Sequence, residues 1–295
     1  MDGNFKRGLI SNCIALPILF GFGYAIQLQH LAAAALAVNW FVFVVHALPR
    51  NSERFFDATG SLTYLIMIGS AVSTSQGCVS RRFVSASMVV VWCIRLGSYL
   101  LGRIMKDGKD GRFDEFRKSW LRFLGVWTIQ AVWCFFVASP ALVMITSEAC
   151  HTSVSILDCV GWALWLVSFC IEVVADRQKD RFRRDPANKG QFITTGLWAY
   201  SRHPNYFGEI CMWIGICISG SSCFHGLEWL SWVSPLTTWI LLMKVSGVSL
   251  LEKSGQERWG KDPKYQHYMD HTPCIVPALR KPPAYPTDGY VPIVG

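Results

Sequence analysis

The sequence predicts an all-α, polytopic membrane protein, and three observations lead to this prediction. Hydrophobic residues make up 52% of the 295-residue chain and charged residues only 16%, whereas an ordinary soluble domain carries about 25% charged residues. The apolar residues form long runs, close to the ~20 residues that cross a ~30 Å hydrocarbon core. The basic residues are concentrated in every second connection between these runs. A large soluble helical protein is disfavoured, because so many apolar runs would leave no face for water.

Eight apolar runs are predicted to form helices, of which about seven or eight span the membrane. Their length separates them from the helices of soluble proteins, which usually carry a polar face. The first run follows Lys6 and Arg7, as in a signal peptide, but it is too long and lacks a clear cleavage site, so we expect a retained helix. The runs are 8–28, 31–48, 61–79, 84–104, 120–146, 154–175, 204–222 and 228–251.

The charge pattern predicts the orientation of the chain. The connections rich in Lys and Arg are 6–7, 50–54, 103–122, 177–202 and the tail after 253. The alternate connections, 27–30, 147–153 and 222–226, hold neither residue, and Arg81 and Arg82 are the one exception. The positive-inside rule then places both termini and the large loops in the cytoplasm. The net charge of +8 on one face favours an anionic ligand or lipid over nucleic acid.

Cysteine and histidine spacing gives no sign of a metal site. Most cysteines lie inside apolar runs without a C-x-x-C pattern, which indicates small core residues rather than disulfides or ligands. His267 and His271 are four residues apart but have no neighbouring Cys or His, so they are interpreted as surface residues. The sequence also lacks a P-loop, a G-x-G-x-x-G turn after a strand and a G-x-S-x-G motif.

Three polar features interrupt the second half of the chain, and the first is a stripe on one helix that Pro186 ends. Its members recur at i, i+4, i+7 and i+11: Glu172, Asp176, Lys179 and Arg183. The two carboxylates lie near the apolar boundary, where an acidic group is costly unless it faces a polar cavity. A solvated helix end with i,i+4 ion pairs is the alternative.

The second feature is the stretch 190–215, in which Gly190 and Gly196 predict turns and Pro204 predicts the first turn of a helix. Arg202 and His203 directly precede this helix. Free N–H groups and the helix dipole favour an anion at such an N-terminus.

The helix that starts at Pro204 carries unusual polar residues. Asn205, Glu209 and Met212 share one face, and Gly208 allows another segment to approach closely. A basic loop that anchors in lipid headgroups would explain Arg202, but it would not explain an Asn and a Glu on an otherwise apolar helix.

The third feature is the segment after Glu252, which ends an apolar helix. This segment is amphipathic and rich in aromatic and basic residues: Arg258, Lys261, Lys264, Tyr265 and Tyr268. It fits either a helix on the membrane surface or a lid over a bound cofactor.

These residues resemble a known family. The run GLWAYSRHPNYFGE, LLEK about 40 residues later and a Y-x-x-Y before a final I-x-P are similar to the steroid 5-alpha-reductase-like integral membrane reductases, especially their branch of enone reductases of unknown substrate. The stretches ERFFDATGSLTY (53–64) and WCIRLGSYLLGRIMKDGKDGRF (92–113) resemble the same branch, so the resemblance covers most of 40–277. Sterol C14- and C7-reductases, isoprenylcysteine carboxyl methyltransferases and phospholipid methyltransferases carry a related core.

The resemblance implies one transmembrane reductase domain, with substrate-side helices in 1–150, a cofactor half in 151–280 and a tail in 281–295. NADPH would bind at the cytoplasmic ends of the later helices, beside a loop from 191 to 200. Three basic residues, Arg183, Lys189 and Arg202, would meet its phosphates. The full set of expected cofactor residues is Glu172, Asp176, Arg183, Lys189, Tyr200, Arg202, His203, Asn205, Tyr206, Glu209, Glu252, Arg258 and Tyr265.

At the substrate end, the family's Gln-Glu pair before Leu-Pro corresponds to His46 and Ala47 here. The missing carboxylate disfavours a 3-keto-4-ene steroid. Tyr99 best matches the family's tyrosine, and Tyr64 lies in the branch's own motif. We expect Tyr99, Tyr64 or His46 to donate to the substrate oxygen, where enolate charge develops, and to relay a proton.

The expected function is therefore NADPH-dependent reduction of a C=C bond conjugated to a carbonyl in a lipophilic, steroid- or isoprenoid-like substrate. No metal and no nucleic acid are expected. We expect a monomer in the endoplasmic reticulum of a eukaryote or the inner membrane of a bacterium. One alternative is a methyltransferase that uses S-adenosylmethionine, which Lys253 disfavours because a Glu-Glu pair is expected there. A non-catalytic lipid- or sterol-binding protein is the other alternative.

Overall fold

The computed structural model describes residues 3–75, 79–150, 153–283 and 285, and within these residues there are helices and no strands. Of these described residues, 79% are helical. Two π-helical turns, Phe43–Ala47 and Leu241–Val245, interrupt the α-helices. The α-helices are α1 Gly3–Ala25, α2 Gln29–Val42, α3 Leu48–Arg50, α4 Phe56–Thr74, α5 Val79–Asp107, α6 Trp120–Thr146, α7 Ile156–Arg184, α8 Pro204–Gly220, α9 Val233–Ile240, α10 Val248–Trp259 and α11 Pro263–His271.

The lengths and apolar character of these helices confirm an all-α, polytopic membrane protein. Among the described residues, six helical segments are long and apolar enough to cross a membrane: Gly3–Ala25, Gln29–Arg50, Ser80–Gly102, Trp120–Thr146, Ile156–Arg184 and Gly226–Trp259. The other two predicted spans fall on α4 and α8, which have 19 and 17 residues. The count of seven or eight spans stays a prediction.

The chain forms two compact units, one made of 1–162 and 214–237 and the other of 163–213 and 238–295. In the first unit, α6 is the central helix and packs against α1, α2, α4 and α5. Its Trp127 is fully buried and meets the rings of Phe43 and Phe56 edge-on, with centroids 6.2 and 5.1 Å away. Burial of such large aromatic side chains dominates the stability of a core.

Arg81, the exception in the charge pattern, is neutralised inside the first unit. Its guanidinium donates to the two carboxylate oxygens of Asp158 at 2.9 and 2.6 Å and to the backbone oxygens of Cys150 and Ser153 at 2.7 and 3.0 Å. Arg81 and Asp158 are 1% and 0% exposed. Asp158 also accepts a 2.7 Å hydrogen bond from Ser219 Oγ. Arg81 therefore departs from the charge pattern because it belongs to a buried ion pair with Asp158, which joins α5, α7 and α8.

A disulfide joins Cys150 to Cys223 and so links two of the connections that lack Lys and Arg. The cysteines of the apolar runs are free thiols, as expected, but only Cys93, Cys134 and Cys217 of them are buried core residues. The expectation was wrong for Cys13, Cys159 and Cys170, which are exposed because they lie on outward faces of their helices. Sequence reasoning did not identify the pair, because neither spacing nor neighbouring residues mark it.

We expect this disulfide to face an oxidising compartment, since disulfides persist there and are reduced in the cytosol. In sealed microsomes, reduced with a permeant agent, an impermeant maleimide should label Cys274 directly but reach Cys150 and Cys223 only after the membrane is permeabilised. Labelling of Cys150 in intact vesicles would contradict the predicted orientation. Peptide mass spectrometry identifies the labelled residues.

Candidate cofactor-binding site

The segment that connects α7 to α8 in the second unit is tied to α7. The backbone N–H of Leu197 donates to Gln178 Oε1, and the indole N–H of Trp198 donates to the backbone oxygen of Ala175, both at 2.9 Å. Gly196 has a φ of +62°, and a side chain at this position would collide with Gln178. Glycine therefore permits both the left-handed turn and the close approach to α7.

Helices α7 and α8 cross at close range where Gly208 faces α7. A Cβ atom at this position would lie 2.7 Å from the backbone oxygen of Ser168 and 2.9 Å from the backbone nitrogen of Glu172. This crossing confirms the predicted role of Gly208. It brings Asn205 beside Asp176, where Asn205 Nδ2 donates to Asp176 Oδ1 at 3.1 Å.

Replacing Gly208 by alanine is expected to destabilise the protein by about 1–3 kcal/mol, because backbone atoms of α7 would have to move. This loss outweighs the helix propensity of alanine, which favours the substitution by about 1 kcal/mol. The matched control is Gly69→Ala in α4, where nothing lies within 4 Å of the added methyl group. The control should unfold at the parental temperature or slightly above, and Gly208→Ala should unfold below it. Equal unfolding midpoints in detergent would exclude the close crossing.

Four side chains meet at the N-terminus of α8 and form what we call the His203 cluster: Arg202, His203, Glu252 and Cys274. Glu252 Oε1 accepts from His203 Nε2 and from Arg202 Nη1, both at 3.2 Å. The Cys274 thiol lies 3.7 Å from the same oxygen. Tyr206 stacks on the His203 ring with centroids 5.4 Å apart. The cluster therefore combines a cation, a carboxylate and a buried imidazole at one helix end.

Several polar atoms at this site are buried without a partner in the protein. Within the part of the chain that the structure describes, Asn205 Oδ1, His203 Nδ1 and Arg202 Nε are buried and have no hydrogen-bond partner. Burying such atoms unsatisfied is costly, so each requires an explanation. A bound ligand with complementary donors and acceptors supplies one. These atoms fit a polar cofactor at this end of α8.

Burial lowers the pKa of His203 below its ordinary value, and the hydrogen bond that His203 donates to Glu252, which raises this pKa, is the smaller effect. The His203 imidazole is consequently neutral at pH 7. Since Glu252 accepts from Nε2, the neutral ring has an acceptor at Nδ1. A ligand N–H or O–H group is the complementary partner.

Acidification should destabilise the protein through His203. Its pKa is lower in the folded than in the unfolded chain, so the unfolded chain binds more protons between the two values, and stability decreases as the pH is lowered through this range. The loss begins near the ordinary histidine value of about 6.5. Between pH 7.5 and 5.5, the thermal midpoint of His203→Gln should fall less than that of the parent. His30→Gln, which replaces an exposed histidine, should match the parent, and a His203→Gln slope equal to the parent's would refute the assignment.

The cluster also contains three potential metal donors, because ligand atoms of His203, Glu252 and Cys274 lie within 4.8 Å of one another. However, the Arg202 guanidinium already contacts Glu252 Oε1 at 3.2 Å. A metal cation at this site would need the Glu252 carboxylate as a ligand, but that carboxylate is already paired with the positive charge of Arg202. The donor set fits an ion-pair network better than a metal centre.

The tail packs onto the connection between α7 and α8. Tyr265 is buried and meets Phe192 edge-on at 5.0 Å. The Tyr268 hydroxyl donates to the backbone oxygen of Trp198 at 2.8 Å, and burial raises the pKa of this phenol. Helix α11 therefore lies against the protein, which favours a lid over a helix that rests on the membrane surface alone.

Four of the expected cofactor residues stand apart from the His203 cluster. Their side chains are exposed, and none contacts the cluster within the described ranges: Arg183, Lys189, Tyr200 and Arg258. Glu172 is buried and packs at the Gly208 crossing, and Glu209 is partly buried one turn beyond Asn205. The remaining cofactor residues are those already described.

The expected substrate-side residues lie on separate elements of the first unit. His46 lies in the π-helical turn after α2, and its buried Nε2 has no hydrogen-bond partner among the residues described. Tyr64 on α4 is buried and meets the Trp92 ring edge-on at 5.1 Å. Tyr99 on α5 is partly buried, with the Arg95 guanidinium 5.9 Å from its ring centroid.

Sequence reasoning missed two residues that shape the site. Cys274 contacts Glu252, and Ser201 Oγ accepts from the backbone N–H of His203 at 3.2 Å while it donates to the backbone oxygen of Ile275 at 2.8 Å. No motif marks either residue. The sequence signal that could have identified Ser201 is its position directly before Arg202 and His203.

The fold and the cluster together define a polytopic, all-helical membrane protein with a group of buried polar side chains at the N-terminus of α8. The chain belongs to the DUF1295 family, described as a protein of unknown function, whose match covers residues 16–272. This is a steroid 5-alpha-reductase-like family, which confirms the family expected from the sequence at that level.

Three curated relatives match the chain. An uncharacterised protein of Schizosaccharomyces pombe is 24% identical over 68% of this chain and 64% of its own length. The Delta(14)-sterol reductase LBR of Gallus gallus is 31% identical over 32% of this chain and 14% of its own. A probable O-methyltransferase of Ustilaginoidea virens is 28% identical over 23% of this chain and 24% of its own. The matches span less than two thirds of each relative, and no solved structure matches.

Proposed function

We propose that the protein is a membrane oxidoreductase that uses NADPH to reduce a C=C bond conjugated to a carbonyl in a lipophilic substrate. The observation that carries this proposal is the set of buried, unpartnered polar atoms around the His203 cluster. The family and the similarity to a sterol reductase support the reaction class. Reduction within the membrane would suit a substrate of low solubility in water.

The residues around the His203 cluster have complementary roles toward such a cofactor. Arg202 and the N-terminus of α8 would bind a phosphate group, through charge and free N–H groups. Glu252 and Asp176 would accept hydrogen bonds from ribose hydroxyls. Asn205 Oδ1 and His203 Nδ1 would accept from donors of the cofactor. NADPH supplies the hydride that is added to the β-carbon of the substrate.

The substrate would be oriented by donors of the first unit. A hydrogen-bond donor beside the carbonyl oxygen stabilises the enolate charge that develops there, which lowers the barrier. The buried Nε2 of His46 suits this role, and Tyr64 and Tyr99 are the other two donors. One of these groups must then deliver a proton to the α-carbon.

A methyltransferase that uses S-adenosylmethionine is the second candidate, and the similarity to a probable O-methyltransferase favours it. Both activities would use the stretch from Arg202 to Glu209. A non-catalytic lipid- or sterol-binding role is the third outcome of the same test.

The test is cofactor-dependent thermal stabilisation of the full chain in detergent. A ligand that binds only the folded state raises stability by about 2.7 kcal/mol at a hundredfold excess over its Kd. NADPH should raise the unfolding midpoint, and S-adenosylmethionine should not. Stabilisation by S-adenosylmethionine alone would replace the reductase with a methyltransferase, and stabilisation by neither would favour the binding role.

A further inference from the structure

Two arginines of the first unit lie where an apolar helix ends, and we call them the Arg50 pair. Arg50 is the last residue of the candidate span Gln29–Arg50, and Arg54 follows it in the next connection. Both side chains are exposed, and among the described residues no carboxylate forms an ion pair with either. Arg54 Nη2 contacts the sulfur of Met105 at 3.0 Å, and a thioether is a weak acceptor. Most of the guanidinium donors are therefore open to another partner.

The neighbouring cations of the same unit differ from the Arg50 pair because they are neutralised. Every Lys and Arg from 109 to 118 forms an ion pair with a carboxylate: Lys109 with Asp114, Arg112 with Asp110, Arg117 with Glu53 and Asp114, and Lys118 with Glu115. Glu53 directly precedes Arg54 in the sequence, but its side chain is buried and pairs with Arg117. The protein thus supplies acids to the loop cations and none to Arg50 or Arg54.

A turn brings the two arginines to the same helix end. Asn51 has a left-handed φ of 46°, which ends the helix after Arg50. The Phe55 ring then packs against the ring of His46, with centroids 4.5 Å apart, and the Arg54 guanidinium lies 6.0 Å from the Phe55 ring centroid. Both guanidinium groups are close enough to His46 to interact with its ring electrostatically. The two charges therefore belong to one small surface.

The surface next to the Arg50 pair is apolar. Four large hydrophobic side chains that precede Arg50 are exposed: Phe41, Val44, Val45 and Leu48. Exposed apolar side chains of a membrane span contact acyl chains, and the end of the span lies at the level of the headgroups. The surface thus offers hydrocarbon contact along the helix and positive charge at its end, which is the arrangement that complements an anionic amphiphile.

We propose that Arg50 and Arg54 bind the phosphate headgroup of an anionic phospholipid, whose acyl chains lie along Val44, Val45 and Leu48. Guanidinium groups donate two parallel hydrogen bonds to phosphate and remain charged at neutral pH. A zwitterionic headgroup is disfavoured, because two cations repel its ammonium group. The predicted orientation places the pair in the cytoplasmic leaflet, which carries anionic lipids. Neither arginine is among the expected cofactor or substrate residues, so this proposal is independent of the reductase proposal.

Native mass spectrometry of the full chain in a neutral detergent tests the proposal, with dioleoyl phosphatidic acid and dioleoyl phosphatidylcholine as probes. The parent should bind phosphatidic acid more tightly than phosphatidylcholine. The variant Arg50→Gln/Arg54→Gln should bind phosphatidic acid at least about tenfold more weakly at the tightest site, since each basic side chain near an anionic headgroup contributes to affinity. Both replaced side chains are exposed, so the unfolding midpoint without lipid should match the parent's.

The matched control is Lys109→Gln/Lys118→Gln, which removes the same charge from the same unit. These lysines are exposed and already pair with Asp114 and Glu115, so the control should bind phosphatidic acid as the parent does. Equal affinity of the parent and the arginine variant would overturn the proposal, and so would equal losses in the two double variants.

Competition with glycerol 3-phosphate identifies the source of the phosphate, because this probe has the headgroup without acyl chains. Weak competition supports a lipid. Competition as effective as that of phosphatidic acid would replace the lipid with a soluble phosphate ester and overturn the proposal. Asn205→Ala should leave phosphatidic acid binding unchanged, so this proposal and the NADPH proposal fail separately.

Discussion

Replacement of Asn205 and Glu209 by alanine is expected to abolish stabilisation by NADPH. Asn205 has a buried Oδ1 that a cofactor donor would satisfy, and Glu209 lies one turn further along the same helix. Loss of both polar groups removes the recognition surface of α8 but leaves its apolar packing in place. The thermal midpoint of the variant should stay constant as NADPH is added, while that of the parent rises.

The control for this experiment is Glu257→Ala, which removes an exposed carboxylate from α10 in the same unit. It should respond to NADPH as the parent does. The double variant should also be produced in near-normal amount, because Asn205 loses one hydrogen bond to Asp176, worth about 1 kcal/mol. A double variant with undiminished NADPH stabilisation would show that the assigned site is wrong.

Replacement of Asp158 by alanine should strongly destabilise the first unit. The substitution leaves the Arg81 guanidinium, which is 1% exposed, without its carboxylate. Removing one partner of a buried ion pair costs about 3–5 kcal/mol, because the remaining charge stays desolvated. The hydrogen bonds from Ser219 and from the backbone N–H of Ser155 are lost as well.

Two controls separate the buried pair from ordinary surface charge. Glu115→Ala breaks an exposed ion pair with Lys118 and should leave the unfolding midpoint close to that of the parent, because solvent screens such a pair. The double variant Arg81→Met/Asp158→Leu should recover most of the stability, since an apolar pair of similar volume carries no unpaired charge. Midpoints of thermal unfolding in detergent measure all three. An Asp158→Ala midpoint equal to that of Glu115→Ala would contradict the buried pair.

The fold class was predictable because apolar runs of membrane length have few alternatives. Local signals also predicted details of the second unit: Pro186 lies just after the end of α7, Pro204 begins α8, and Gly190 and Gly196 have positive φ values of 81° and 62°. These are properties of single residues with restricted or unusual backbone freedom. The interruption of the last apolar run by a π-helical turn carried no comparable signal.

The site was predictable only in part, because sequence places residues along one helix but not across helices. The spacing on α8 predicted a shared face for Asn205 and Glu209. It could not predict that Cys274, which lies 22 residues after Glu252 in the sequence, would contact the Glu252 carboxylate. Nor could the stripe on α7 show that Arg183 turns outward while Glu172 is buried, since a helix end exposes some of its faces and covers others.

The disulfide between Cys150 and Cys223 has a consequence for membrane insertion. The two cysteines are 73 residues apart in sequence, and both α7 and α8 lie between them. Since α7 is long and apolar enough to cross the bilayer, Cys223 reaches the side of Cys150 only if the chain returns, and α8 is the helix in a position to do so. We therefore expect the bond to close only after α7 and α8 have inserted as a helical hairpin, and the time at which it appears on a non-reducing gel, relative to insertion of the chain, would test this order.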